Sequence, residues 1–183
     1  ILNKNGFDIA ETKIGLYHNG QGDEEKLSDL KASTFNLENG KVAETKLDEK
    51  SIFTEHYSKQ QDFKKFTMPA LREGSIYDIT YTIKSDFYRY LRSWNFQGYY
   101  PRLWSEYETT IPPMFFYVSR LQGDNHFDIH TSKEVFQRFS IVQNNGTQSD
   151  DFYDLSGNST QERWVKKNVP ALKEEPFTTT VNN

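Results

Sequence analysis

The stretch FTMPALREGSIYDITYTI (66–83) decides the fold, because a turn segment leads directly into regular alternation. From position 75 the odd places are taken by Ser75, Tyr77, Ile79, Tyr81 and Ile83. The even places that follow hold Asp78, Thr80, Thr82 and Lys84. Residues two apart share one face of a strand, so the pattern predicts a β-strand with one buried and one solvent-facing side. Such a strand belongs to a packed sheet.

Length and composition favour one β domain that can bury a sizeable core, since the chain has 183 residues. Aromatic residues make up 15% of the chain, and their large burial area predicts an aromatic core. The chain has 22 Lys and Arg against 26 Asp and Glu, a net charge of −4, with no long run of one sign. Nucleic acid is therefore not an expected partner, since phosphate binding needs a basic face.

Two absences in the sequence narrow the function classes. The chain has no Cys, which excludes disulfides, thiolate metal ligands and thiol nucleophiles. It has no apolar run near the ~20 residues of a membrane helix, so no membrane insertion is expected. No motif assembles a catalytic or cofactor site, and we expect neither a cofactor nor an enzymatic activity in this chain.

A tight hairpin is predicted where residues 32–37 and 42–47 flank the sequence ENGK (38–41). Asn39 and Gly40 tolerate the positive φ angles of a type I′ turn. Residues 49–61 are open between a short helix and an irregular strand. Further strands are predicted at 103–111, 114–120, 127–131, 135–142 and 163–169, with loops at 121–125 and 144–159. The pattern predicts an all-β, antiparallel β-sandwich of two packed sheets, immunoglobulin-like in broad architecture, with little helix.

A metal site is one interpretation of the alternating residues His126, Asp128 and His130. All three would project from one strand face, and two imidazoles with a carboxylate can bind zinc or a similar ion. The alternative is an ordinary solvent-facing strand surface.

Acidic residues offer two further interpretations. Calcium could use the oxygen-rich group in the 144–159 loop, although its spacing does not match the twelve-residue calcium loop. This group comprises Asp150, Asp151, Asp154, Gly157 and Asn158. A solvated acidic loop is the alternative. Glu106 and Glu108 share a strand face and could act as a glycosidase pair, or form an ordinary charged surface.

An aromatic interval runs from Phe87 to Trp104. Exposed rings can stack on sugars or on apolar groups of a partner, whereas buried rings would form part of the core. The candidate binding surface consists of Tyr88, Trp94, Tyr99, Tyr100 and Trp104.

Four sequence blocks carry a family resemblance. REGSIYDITYTI (72–83) resembles the turn and strand of a bacterial domain of unknown function that precedes transglutaminase-like domains. The other blocks agree with that family in order: FNLENGK (35–41), SWNFQ (93–97) followed by WSEYETTIP (104–112), and KNVPALKEEPF (167–177). Together they span most of the chain, and the last block is the most specific. It lies where the family's domain usually leads into the next one.

The resemblance implies a β-sandwich domain over residues 1–177 and the start of a connector over residues 178–183. It implies an exported bacterial protein, periplasmic or in the cell envelope, with a downstream transglutaminase or papain-like domain that uses a Cys nucleophile. That catalytic domain would be the partner of this chain. Ile1 is not an initiator Met, so we expect both Ile1 and Asn183 to be cut ends. No catalytic, cofactor or metal residue is transferred from the family.

Three hypotheses of different classes follow. The first is a non-catalytic module that packs against a catalytic neighbour or presents substrate to it. The second is a carbohydrate- or peptide-binding module that uses exposed aromatic rings. The third is a metal-dependent hydrolase that uses His126 and His130. A sandwich fold by itself cannot distinguish them.

Overall fold

The computed structural model of the protein describes residues 1, 3–143 and 151–173. The chain divides into two compact units, Ile1–Arg92 and Ser93–Asn183. The predicted all-β, antiparallel class is confirmed. Among the described residues, helix is confined to two short 3-10 segments, Lys4–Ala10 and Glu49–Ser51. No helix in this part of the chain is long and apolar enough to span a membrane.

The first unit contains six strands in two three-stranded antiparallel sheets. The strands are β1 (Glu11–Tyr17), β2 (Glu25–Glu38), β3 (Lys41–Lys46), β4 (Phe53–Ser58), β5 (Gln61–Thr67) and β6 (Ile76–Ser85). One sheet has the order β1-β5-β4 and the other the order β3-β2-β6. The two sheets pack face to face, as a sandwich requires.

The core of this first unit lies between the two sheets and is mostly aliphatic. Its buried members are Ile14, Leu16, Ala32, Phe66 and Met68. The prediction of an aromatic core is wrong for the first unit, where Phe66 is the only aromatic residue among the five buried members. Many rings of the described residues lie on outward strand faces or in the segments between strands and remain exposed. Aliphatic side chains fill the narrow space between two small sheets.

Strand β6 confirms the alternation from which its presence was predicted. Tyr77, Ile79 and Ile83 pack against the core cluster. Tyr81 departs from the pattern, since it is 45% exposed. It lies opposite a bulge in β2, where the register shifts around Asp29, whose φ is 55°. A bulge displaces the ladder locally and so interrupts the regular burial of its partner strand.

The hairpin between β2 and β3 is also confirmed. Asn39 and Gly40 have φ angles of 49° and 77°, the positive values that a type I′ turn needs at both central positions. Residues 49–61, for which either a short helix or an irregular strand was predicted, contain both in succession. A 3-10 turn at Glu49–Ser51 is followed by β4, a tight turn and the start of β5.

The second unit contains one three-stranded antiparallel sheet of order β7-β9-β8. Its strands are β7 (Arg102–Ile111), β8 (Ile129–Gln143) and β9 (Asp151–Val169). The strands predicted at 127–131 and 135–142 form parts of a single strand, β8. The long ladder between β8 and β9 joins Ile129 with Val165 at one end and Gln143 with Asp151 at the other.

Two sequence predictions in the second unit are wrong. Residues 114–120 form no strand, because the two prolines end β7 and a turn follows, with the Phe115 N–H donating to the Pro112 carbonyl at 3.0 Å. The predicted loop at 144–159 is a strand from Asp151 onward, because each of its residues finds a partner on β8. The boundaries 1–177 and 178–183 stay predictions, and the connector lies outside the described residues.

Candidate binding surface

The sheet of the second unit presents different side chains on its two faces. On β7, Trp104, Glu106 and Glu108 point to one side, while the residues between them point to the other. Strand β9 places Lys167 directly opposite Trp104, and Arg163 directly opposite Glu108. Directly opposed residues of an antiparallel pair share a face. We call the group Trp104, Glu106, Arg163 and Lys167 the Trp104 surface.

Hydrogen bonds fix the orientation of the Trp104 ring. Its indole Nε1 donates to Glu106 Oε2 at 2.7 Å. Arg163 in turn donates to both oxygens of Glu106, from Nε to Oε1 at 2.5 Å and from Nη2 to Oε2 at 3.3 Å. A bidentate guanidinium–carboxylate pair defines both position and orientation. Glu106 therefore anchors the indole on one side and the guanidinium on the other.

Two cations lie near the ring of Trp104. Arg163 Cζ is 5.9 Å and Lys167 Nζ is 5.2 Å from the ring centre. Both distances fall within the range of a cation–π attraction. The side chain nevertheless remains 48% exposed. The ring is held in place by its neighbours and is still accessible to a ligand.

Glu106 and Arg163 stabilise each other's ionised forms. The hydrogen bond from Arg163, followed by that from Trp104, lowers the pKa of Glu106, and Glu106 raises the pKa of Arg163. A glycosidase pair needs one carboxyl with a raised pKa to protonate the leaving group. The pKa of Glu106 moves in the opposite direction, and Glu108 accepts a hydrogen bond from Gln161 Nε2 at 2.5 Å. Glu106 is therefore not suited to be the proton donor of such a pair.

The opposite face of the sheet carries a row of stacked rings. Tyr107, Trp164 and His130 lie opposite one another on β7, β9 and β8, with ring centres 5.8 Å and 5.4 Å apart. Trp94 extends the row, since its ring lies 6.1 Å from that of Tyr107 at an angle of 11°. Trp94 Nε1 also donates to Ser105 Oγ at 3.3 Å. Burial raises the pKa of Tyr107, as expected for a ring enclosed in such a row.

The three residues of the predicted metal site have separate structural roles. Asp128 Oδ2 accepts the backbone N–H of Lys167 at 2.6 Å. His126 precedes β8, and its backbone N–H donates to Asp124 Oδ1 at 3.0 Å. His130 stacks on Trp164. Among the described residues there is no group of three imidazole, thiol or carboxylate side chains that could hold a metal ion.

The predicted calcium group is not a loop. Gly157 and Asn158 lie within β9, together with Asp151 and Asp154, in ladder with β8. Asp154 Oδ1 accepts a hydrogen bond from Ser140 Oγ at 2.8 Å, and Asn158 Nδ2 donates to Glu134 Oε2 at 2.9 Å. An extended strand spreads such residues along its length and cannot wrap them around one ion. Asp150 lies outside the described residues.

The five aromatic residues of the predicted binding surface are divided between the two units. Tyr88 belongs to the first unit, and the other four belong to the second. Within the second unit, Trp94 contacts the face that is opposite to Trp104. The alternative of burial is wrong for most of the set, since only Tyr100 is not exposed. Within the second unit, the structure therefore places Trp104 and Trp94 on opposite faces of the sheet.

The segment that carries Tyr99 and Tyr100 is fixed to the end of the described chain. Gln97 Nε2 donates to the carbonyl of Pro170 at 2.9 Å, and the N–H of Leu172 donates to the carbonyl of Gly98 at 2.8 Å. These bonds hold the segment between Trp94 and β7 in a defined conformation. Tyr99 is 73% exposed there.

A polar cavity in the first unit escaped the sequence interpretation. Its volume is about 360 Å³, and His18, Asp62 and Lys64 contribute to its wall. Asp62 Oδ1 lies 2.8 Å from His56 Nδ1 and 3.8 Å from His18 Nε2. Asp62 and Lys64 lie on β5, His56 lies on β4 and His18 directly follows β1, so no single local motif predicts the group. Arg163 and Lys167 were missed for the same reason, because only the pairing of β7 with β9 brings them to Trp104.

Comparison of the chain with known family profiles, with curated proteins and with solved structures finds no match. The family resemblance of the sequence blocks therefore stays a prediction.

Proposed function

We propose that the chain is a non-catalytic binding module of an exported bacterial protein. In this proposal it positions a ligand for a transglutaminase or papain-like domain elsewhere in the same polypeptide, in the periplasm or cell envelope. The resemblance of the four sequence blocks supports the neighbourhood and the compartment. The Trp104 surface supports the binding role.

The exposed but immobilised ring of Trp104 is the observation that carries the proposal. The ring is fixed by its hydrogen bond to Glu106 and is flanked by Arg163 and Lys167, yet 48% of the residue remains accessible. A side chain that is already ordered loses little conformational entropy when a ligand binds. Aromatic and Arg side chains in such settings are the usual anchors of interfaces.

The ionisation and hydrogen bonding of Glu106 favour a binding role over a catalytic one. Glu106 is ionised and hydrogen-bonded to two neighbours, which leaves it without a proton to donate near neutral pH. The sequence contains no Cys that could act as a nucleophile. The chemistry of a papain-like reaction would therefore belong to the neighbouring domain.

Isothermal titration calorimetry on the isolated chain tests this proposal. The ligands are neutral oligosaccharides, acidic oligosaccharides and an acidic peptide, each titrated into the wild type, Trp104→Ala and Leu103→Ala. Leu103 is the matched control because it is 84% exposed and its side chain lies on the other face of β7. We expect Trp104→Ala to weaken binding by about 30-fold or more, as for an interface anchor, and Leu103→Ala to leave it unchanged.

Two outcomes would contradict the proposal. One is the absence of any binding that depends on Trp104. The other is breakdown of a bound ligand by the chain that Glu106→Gln abolishes, because the surface would then be an active site.

A further inference from the structure

Lys167 carries a positive charge that the surface itself does not neutralise. Its Nζ lies 5.2 Å from the centre of the Trp104 ring, and its side chain is exposed. Within the part of the chain that the structure describes, Lys167 forms no ion pair. Arg163, by contrast, is paired with Glu106. The exposed indole therefore has an unpaired ammonium group at its side.

A row of planar polar groups continues from the ring along the same face. After Glu106 and Arg163 come Glu108 and Gln161, which are joined by the bond from Gln161 Nε2 to Glu108 Oε1 at 2.5 Å. From Trp104 to Glu108 the row extends about 13 Å along β7. Carboxylate, guanidinium and amide groups are planar and carry several donors or acceptors each, so they can bind pairs of neighbouring hydroxyls. Their mutual contacts fix them before a ligand arrives.

We propose that the Trp104 surface binds an acidic glycan. This inference rests on the proposed binding function and names its ligand class. A pyranose ring stacks on Trp104, its carboxylate pairs with Lys167, and the hydroxyls of the following sugar contact the polar row at Glu108 and Gln161. The charge complementarity with Lys167 selects uronic acids over neutral sugars.

A glycan fits this face better than an acidic peptide does. A peptide that adds a strand would pair with the backbone edge of β7 and would not need the side chains of the sheet face. A peptide bound through its side chains usually needs apolar pockets, whereas this face offers one aromatic ring among charged planar groups. Hydroxyl-rich ligands use such groups directly.

A matched ligand pair tests the inference. Trigalacturonate and its fully methyl-esterified form have the same sugar rings and differ in charge. Calorimetry on the intact chain should show binding of trigalacturonate that is about tenfold tighter than binding of the ester. Added salt should weaken the acid more than the ester, because it screens the exposed pair with Lys167.

Variants assign the contribution of each side chain. Lys167→Gln should remove the preference for the acid, so that trigalacturonate and the ester bind this variant with similar affinity. Lys166→Gln is the matched control, since Lys166 is paired with Asp124 and lies on the other face. Trp104→Ala should abolish binding of both ligands. In Lys167→Glu the new carboxylate should repel the acid. Its thermal unfolding, compared with that of the wild type, shows whether a loss of binding comes from this repulsion or from loss of the fold.

The outcomes separate this inference from the proposed function. If acid and ester bind with equal affinity and both depend on Trp104, the ligand class is not acidic, and the proposal of a glycan-binding module still holds. Trp104-dependent binding of a poly-glutamate peptide, with no binding of either sugar, would overturn the glycan class and leave a binding module. No Trp104-dependent binding of any of these ligands would overturn both.

Discussion

Ser75 Oγ donates a hydrogen bond of 2.6 Å to Asn36 Oδ1, and both side chains are buried. Arg72 adds two bonds, from its backbone N–H to Ser75 Oγ at 2.9 Å and from Nε to Asn36 Oδ1 at 3.1 Å. Asn36 Nδ2 donates to the carbonyl of Ala70 at 2.9 Å. These hydrogen bonds attach the turn before β6 to β2, the central strand of the sheet. Each of the polar groups involved has a hydrogen-bond partner.

Replacing Ser75 by Ala should destabilise the first unit by about 1–3 kcal/mol, because the backbone N–H of Arg72 and the side-chain oxygen Oδ1 of Asn36 each lose a hydrogen-bond partner. Chemical denaturation measures the difference. Ser33→Ala is the control, since the Ser33 hydroxyl bonds to Glu44 in an exposed position and its loss should change stability by less than about 0.5 kcal/mol. Equal effects of the two changes would contradict the role of the buried network.

Replacing Gly40 by Val should lower the stability of the first unit by about 1–2 kcal/mol, because a β-branched residue disfavours positive φ. Gly40 has a φ of 77°, and no atom lies within 4 Å of the place where a Cβ would be. The loss would therefore come from the backbone conformation and not from a clash. Gly40→Asn should be tolerated, since Asn enters this conformation more readily. Thermal unfolding of the two variants makes the comparison, and an unchanged melting temperature for Gly40→Val would count against the turn type.

The stability of the first unit should depend on the ionisation of Glu25. Burial alone raises the pKa of Glu25, but hydrogen bonds from Arg92 and from the backbone N–H of Tyr17, together with the charge of Arg92, outweigh it and lower the pKa below the ordinary 4.5. A lowered folded-state pKa stabilises the fold above the unfolded pKa, and this stabilisation is lost as the pH falls through the folded pKa. Glu25→Gln should therefore be less stable than the wild type at neutral pH, and the difference should shrink in acid.

Denaturant unfolding from neutral pH to below 4.5 checks this dependence on Glu25. Glu24→Gln is the control, because Glu24 forms an exposed ion pair with Lys26 at 2.8 Å and such pairs contribute less than about 1 kcal/mol. A difference between Glu25→Gln and the wild type that grows toward acid would contradict the sign.

Gly157 is needed for its size. A Cβ at this position would lie 2.9 Å from Pro113 Cγ, so Gly157→Ala should destabilise the second unit by about 1–3 kcal/mol through overpacking. In a Pro113→Ala background the same change should be neutral or slightly stabilising, since Ala restricts the unfolded chain more than Gly does. A double-mutant cycle measures the coupling. The same loss in both backgrounds would show that Pro113 is not the cause.

The features that the sequence predicted are those encoded by neighbouring residues. The turn at Asn39 and Gly40 depends on two residues that accept positive φ, and β6 depends on alternation within one segment. The second half of β9 agrees with the strand predicted at 163–169, but its first half was missed because it is rich in Asp, Ser, Asn and Gly, which usually indicate a loop. This half is a strand because β8 supplies a partner for every residue from Asp151 to Val165, and such long-range pairing leaves no local pattern.

The candidate site was predicted in part. Trp104 was predicted as a binding residue because exposed aromatic rings can stack on ligands. Its grouping with Trp94 is not supported, because the Trp94 ring contacts Tyr107 and Ser105, which lie on the opposite face of β7. Arg163 and Lys167 could not be named, since their proximity to Trp104 depends on the register between β7 and β9. Composition can indicate the residue types of such a surface, and only the sheet register assembles them.

All three tryptophans of the chain, Trp94, Trp104 and Trp164, belong to the second unit, whereas the first unit contains Tyr and Phe only. Indole fluorescence therefore reports on one half of the molecule. Trp94 and Trp164 both stack on Tyr107, and such fixed, nearly parallel rings give a near-ultraviolet circular dichroism signal that loss of packing removes. Followed beside far-ultraviolet circular dichroism, which reports on the strands of both units, this signal reveals whether the two units unfold together or in sequence, without any added label.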